Sequence, residues 1–151
     1  MSGKKPLPDK PELVPAQIQA DLFIAKATIK EAKRQTPRLS KTMKGQAGYH
    51  LQQATEKLIK IQLYRSNKSL DFSKIFNHRI GDLILYGRSL GIDLIVPPYI
   101  ENYAEIISGW EAEGRYDPHF VVRIDTLEKC AAIVSEWFDS VTKPMRHPHS
   151  R

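Results

Sequence analysis

At 151 residues the chain is long enough to bury a substantial share of its surface around one core, so one domain is expected. Its 41% hydrophobic and 26% charged content is that of a globular protein, too apolar for a disordered chain and too broken by charge for a membrane one. A formal charge of +6 and an isoelectric point near 9.4 suit a polyanionic partner such as RNA, a nucleotide or an acidic protein surface. Much of that excess sits in Lys4, Lys5, Lys10, Lys143, Arg146 and Arg151, so the body of the chain is less basic than the total.

Residues 1–15 carry prolines and lysines without the apolar stretch or cleavage site of a secretory signal, and they read as an extended arm. Pro15 is suited to open a helix, and Ile18, Leu22, Ala25, Ile29 and Ala32 then alternate steps of four and three, the spacing of one helix face. Thr36-Pro37 is expected to stop it, because a residue before proline is pushed out of the helical region. The second helix is expected from about Met43 to Tyr64 on the repeat of Ala47, Leu51, Ala54, Leu58 and Ile61, with Glu56 and Lys60 as a favourable i,i+4 pair.

After a polar loop over 65–69, the pattern predicts a third helix from Phe76 to Leu90, facing inward with Phe76, Ile80, Leu83 and Leu90 and ending at a left-handed Gly91. Residues 91–98 read as a buried connector carrying Ile92, Leu94 and Ile95, since no second segment is available to pair with it as a strand. Pro98 opens a fourth helix with Ile100, Tyr103, Ala104, Ile107 and Trp110 on one side, bracketed by Gly109 and Gly114. A last helix is expected to start with Asp125 as cap and Glu128 three residues on. It carries Leu127, Cys130, Ala131, Val134, Trp137, Phe138 and Val141 inward and is expected to end at Pro144. The expectation is an all-α, up-and-down bundle of four to five helices over 16–142, between the arm and a basic tail over 143–151.

The lone Cys130 rules out an intramolecular disulfide and, on an apolar stripe, reads as a packed thiol; a soluble protein of a reducing cytoplasm is expected. No Cys or His grouping has zinc spacing, Gly81, Gly87 and Gly91 do not form a phosphate loop, and neither metal nor organic cofactor is expected.

The second helix carries a polar seam beside its apolar stripe: His50, Gln53, Lys57 and Lys60 are separated by three, four and three residues. The run Ala47-Gly48-Tyr49-His50-Leu51-Gln52-Gln53-Ala54-Thr55-Glu56-Lys57-Leu58-Ile59-Lys60 resembles the helix-two signature of HEPN domains. His78 at the head of the third helix, and Arg115-Tyr116-Asp117-Pro118 after the fourth, similar to the family's Arg-Tyr-Pro segment, follow in the family's order.

The resemblance implies a helical bundle that dimerises and that binds nucleotides, accompanies a nucleotidyltransferase, or acts as a ribonuclease toxin of a toxin–antitoxin pair. The ribonuclease members separate Arg and His by four to six residues. Here Arg115 and His119 have three between them, one being Pro118, which interrupts the helical face that would hold a base and a phosphate clamp together. The reading is therefore a non-catalytic homodimer. It binds a nucleotide or RNA phosphate through His50, Gln53, Lys57, Lys60, His78, Arg115 and Tyr116, as a partner to a separate nucleotidyltransferase. Two alternatives stand beside it. One is a metal-independent ribonuclease using Arg115 with His119 or His50; the other is an interaction module with Trp110 and Trp137 at a helical interface. Tyr49, Tyr116 and Trp110 are aromatic platforms that a base could stack on, but at helical spacing such residues more often belong to a core or a dimer face.

Overall fold

The computed structural model describes residues 14–111 and 122–146, the side chains of 144–146 excepted. Every regular element among them is a helix: α1 (Val14–Ala32), α2 (Pro37–Tyr64), α3 (Phe72–Ile75), α4 (Ile80–Ser89), α5 (Pro98–Asn102), α6 (Ala104–Gly109) and α7 (Ile124–Arg146). The bundle expected from the periodicity is present. No helix among the described residues is long and apolar enough to cross a membrane.

α1 and α2 form an antiparallel hairpin closed by the short turn at 33–36, and α7 packs along both. Lys33 just past α1 pairs with Glu128 near the start of α7, and Arg65 just past α2 donates to the Val141 carbonyl near its end. α7 therefore runs antiparallel to α1 and parallel to α2. The core between them holds Ile18, Leu22, Leu51, Leu58, Leu127 and Val134, each buried, and at about 1.5–3 kcal/mol per large side chain this burial is the main stabilising term. Cys130 belongs to the same core, where burial pushes its thiol pKa up to about 12.

Several boundaries differ from the sequence expectation. α2 starts at Pro37, so Thr36-Pro37 both stops α1 and opens α2: proline at the first helical position lacks an N–H that would have had no helical acceptor. The single helix expected over 76–90 is two. Asp71 caps α3, its carboxylate accepting the Ser73 N–H, and Asn77 Oδ1 accepts the Arg79 N–H in a side-chain-closed turn before α4 begins. Phe76 is consequently exposed, and the inner face of α4 is Ile80, Leu83, Ile84 and Gly87, with Leu90 half-buried. Gly91 is left-handed, at φ +79.

The helix expected from Pro98 breaks at Tyr103 (φ −110, ψ 19), dividing it into α5 and α6. The break brings both Ile100 and Ile107 into the core while Tyr103 turns outward against Tyr99, ring centroids 4.6 Å apart. Its second effect is to place Ser108 Oγ where it accepts the Ile80 N–H at 2.8 Å, satisfying an amide at the start of α4.

Asp125 lies inside α7 and binds Arg123 at 3.0 and 2.9 Å rather than capping, and α7 continues through Pro144 to Arg146, with no N–H at 144 for the Ser140 carbonyl to accept. The connector 91–97 has no strand; Leu94 is buried, Ile92 is half-buried, and Ile95 is exposed, contrary to expectation.

Candidate functional site

The seam on α2 is held by two carboxylates that its spacing does not contain. Asp21 sits on the apolar stripe of α1, between Ile18 and Leu22, and is buried. A buried carboxylate is stable only when its lone pairs are taken, and α2 supplies the partners. Asp21 Oδ1 lies 2.9 Å from His50 Nδ1, and Oδ2 accepts from Lys57 Nζ at 2.7 Å. The two lie on one face of α2, seven residues apart, so one acid on α1 bridges two turns of α2.

Glu56 forms the second centre. It is buried, and its carboxylate accepts from Lys60 Nζ at 2.6 Å and from Gln52 Nε2 at 3.0 Å, while His78 Nδ1 lies 3.0 and 3.1 Å from its oxygens. Burial alone would raise its pKa; the Lys60 ammonium, with the hydrogen bonds from Lys60, Gln52 and His78, outweighs that and holds it below the ordinary 4.5. Gln52, wholly buried, also donates to the His78 carbonyl at 3.2 Å, and Gln53 donates to Gln52 Oε1 at 2.8 Å. Through these amides the loop before α4 is tied to α2.

Each centre thus joins one buried carboxylate, one imidazole and one lysine. The lysine side chains are 28% exposed at Lys57 and 13% at Lys60, and the imidazoles 25% at His50 and 58% at His78. The ridge is neither sunk in the core nor spread over open solvent. In both imidazoles Nδ1 is taken by the carboxylate, and Nε2 has no hydrogen-bond partner among the described residues. Tyr49 packs edge-on against the His50 ring, centroids 5.1 Å apart, and is half-buried.

The structure therefore gathers these residues into two clusters, His50 and Lys57 on Asp21, and Lys60, His78 and, through Gln52, Gln53 on Glu56. His78 sits in the turn just before α4, at the head of the expected third helix. Arg115, Tyr116 and His119 lie outside the described residues. Trp110 and Trp137 are buried within the bundle: Trp110 packs on Gly48, where an added Cβ would come within 3.2 Å of the indole, and Trp137 Nε1 donates to the Ile95 carbonyl at 2.7 Å. Both are core residues of this chain, so neither is displayed for a partner or for stacking on a base.

Sequence reasoning missed Asp21 and Gln52. The signal was available, since each is a polar residue at an inward helical register, and a buried polar group requires a partner. Among the described residues no group of three or more His, Cys, Asp and Glu is arranged to hold a metal ion. No protein-family model, curated protein or solved structure matches the chain.

Proposed function

We propose that this chain is a HEPN-like helical domain that binds a phosphate-bearing ligand, a nucleotide or RNA, along the polar ridge of α2 without transforming it. The observation that carries the reading is the pair of carboxylate-centred clusters, which hold two partly exposed ammonium groups on α2 and two partly exposed imidazoles, His50 on α2 and His78 beside it in the turn before α4. An ammonium has three donors, and each lysine gives one to its carboxylate, leaving two for a phosphate oxygen. With neutral imidazoles the clusters carry no net charge, two lysines against two acids. The ridge then orients a phosphate more than it attracts one, and the long-range attraction comes from the chain's formal net charge of +6.

In this reading Gln53 and His78 flank the ligand, Arg115 and Tyr116 complete its site, and the domain works as a homodimer beside a separate nucleotidyltransferase. The resemblance of 47–60 to the HEPN signature supports those elements. The test is a thermal shift with ATP, GTP and short RNA. A ligand of the native state raises the melting temperature by mass action, and failure of all three removes the reading.

One observation favours a second reading, a metal-independent ribonuclease. Asp21 engages His50 Nδ1, which in the neutral ring leaves Nε2 as the acceptor, the orientation a general base for a 2′-hydroxyl requires. Labelled RNA incubated with the protein in chelator would then be cut by the natural chain and spared by His50→Ala; intact RNA with the natural chain disposes of this reading.

A further inference from the structure

On the far side of α1 from the α2 ridge, a groove of about 390 Å³ runs between α1 and α7. Its floor is apolar and low: Ile29 and Ala131 are buried, and Ala132 is an exposed methyl on the α7 wall. Its α1 rim is cationic. Lys26, Lys30 and Lys33 are spaced by four and three residues, so they rise from one face over about 10 Å of helix. Lys33 is taken by Glu128 across the groove at 2.6 Å, whereas Lys26 and Lys30 have no ion-pair partner among the described residues. Phe23, three residues before Lys26 on the same face, is 73% exposed.

We propose that this groove docks an acidic amphipathic helix of a partner protein. Two antiparallel helices with small side chains between them leave a furrow into which a third helix packs ridge-into-groove, and Ala131 and Ala132 allow its backbone to approach closely. The partner's apolar edge covers Ile29, Ala131 and the Phe23 ring. Carboxylates one turn apart on its flank meet Lys26 and Lys30, the same i,i+4 rhythm in the opposite sign. A nucleic-acid backbone suits the groove less well, since a phosphate would meet the Glu128 carboxylate on the opposite rim and an apolar floor with nothing to donate.

The test is fluorescence anisotropy on the full chain, using a labelled helical peptide of about 18 residues with leucines on one edge and glutamates beside them. Its lysine-for-glutamate counterpart and a short RNA serve as comparison probes. The acidic peptide is expected to bind and the basic one not. Lys26→Glu/Lys30→Glu, and Ala132→Trp, which fills the groove from an exposed position, are each expected to weaken binding about ten-fold or more. Lys68→Glu/Lys74→Glu, an equal charge change on exposed lysines elsewhere, is expected to leave it unchanged.

Absence of peptide binding overturns the proposal, as does affinity that survives both groove variants. RNA binding that depends on Lys26 and Lys30 while the peptide stays free would overturn it in favour of a nucleic-acid surface. Against misfolding of the variants, a benzophenone on the peptide's apolar edge is used with the natural chain: crosslinks to 23–33 or 128–132 are expected, and crosslinks elsewhere contradict the placement.

Discussion

Gln62 and Ile95 are joined by a reciprocal pair of hydrogen bonds, the Ile95 N–H donating to Gln62 Oε1 at 2.8 Å and Gln62 Nε2 donating to the Ile95 carbonyl at 3.0 Å. The side-chain amide occupies the position a neighbouring strand's peptide group would take, which is how an extended connector satisfies its backbone in an all-helical protein. Trp137 Nε1 adds a second bond to the same carbonyl. Gln62→Leu is expected to cost about 1 kcal/mol, moderated by water reaching the exposed Ile95. Urea unfolding measures it, and an unchanged midpoint would show that the pair contributes nothing.

The Asp21–Lys57 contact is a partly buried ion pair shared with His50, so its members are expected to be coupled. Lys57→Met leaves the buried acid with His50 alone and is expected to destabilise by about 1–2 kcal/mol. Asp21→Asn combined with Lys57→Met is expected to cost less than the sum of the single changes, by about 0.5–1 kcal/mol, in a double-mutant cycle. Strict additivity would mean that the pair is not formed in solution.

Glu56 gives stability a pH dependence of known sign. Its carboxyl pKa in the folded protein lies below the ordinary 4.5, so the folded state binds the proton less readily than the unfolded chain. The contribution is complete above 4.5 and is lost as the pH falls through the depressed folded value. Exposed Asp71, Glu101 and Asp125, also lowered, add in the same direction. Glu56→Gln is therefore expected to be less stable at neutral pH and to lose less stability on acidification, as followed by denaturant midpoints across the acid range. An acid slope as steep as that of the natural chain would contradict the assignment.

Much of the fold was legible because long helices declare themselves through repetition: the α1, α2 and α7 stripes need only one face to be buried. The short elements were not. α3 and the α5–α6 break depend on an Asp71 cap, an Asn77 turn and a shared core demand from Ile100 and Ile107, and these are tertiary choices with no period. At the site, His50, Gln53, Lys57 and Lys60 were readable from spacing along one helix, while Asp21 was not, because its partners lie on another helix. Asp21 interrupting an otherwise apolar α1 stripe was the available clue.

Two glycines of α4 separate packing from propensity. A methyl at Gly87 would lie 2.6 Å from Leu94 Cδ1 and 2.9 Å from Leu63 Cδ2, so Gly87→Ala is expected to force those side chains apart at a cost of about 1–3 kcal/mol. At Gly81 the nearest atom, Ala104 Cβ, is 3.9 Å away, and Gly81→Ala is expected to stabilise by about 0.5 kcal/mol through helix propensity. Thermal melts of the two variants should move in opposite directions.

A phosphate-bearing ligand against the α2 ridge, as proposed, would lie beside two histidine rings that report on it directly. Proton–carbon NMR spectra of the histidine rings, assigned with single His→Gln variants, would be followed while GTP, ATP or short RNA is added. The His50 and His78 signals are expected to move together, along one saturation curve for the ligand that binds. A ligand that saturates the protein while both of those signals stay still would contradict the proposal.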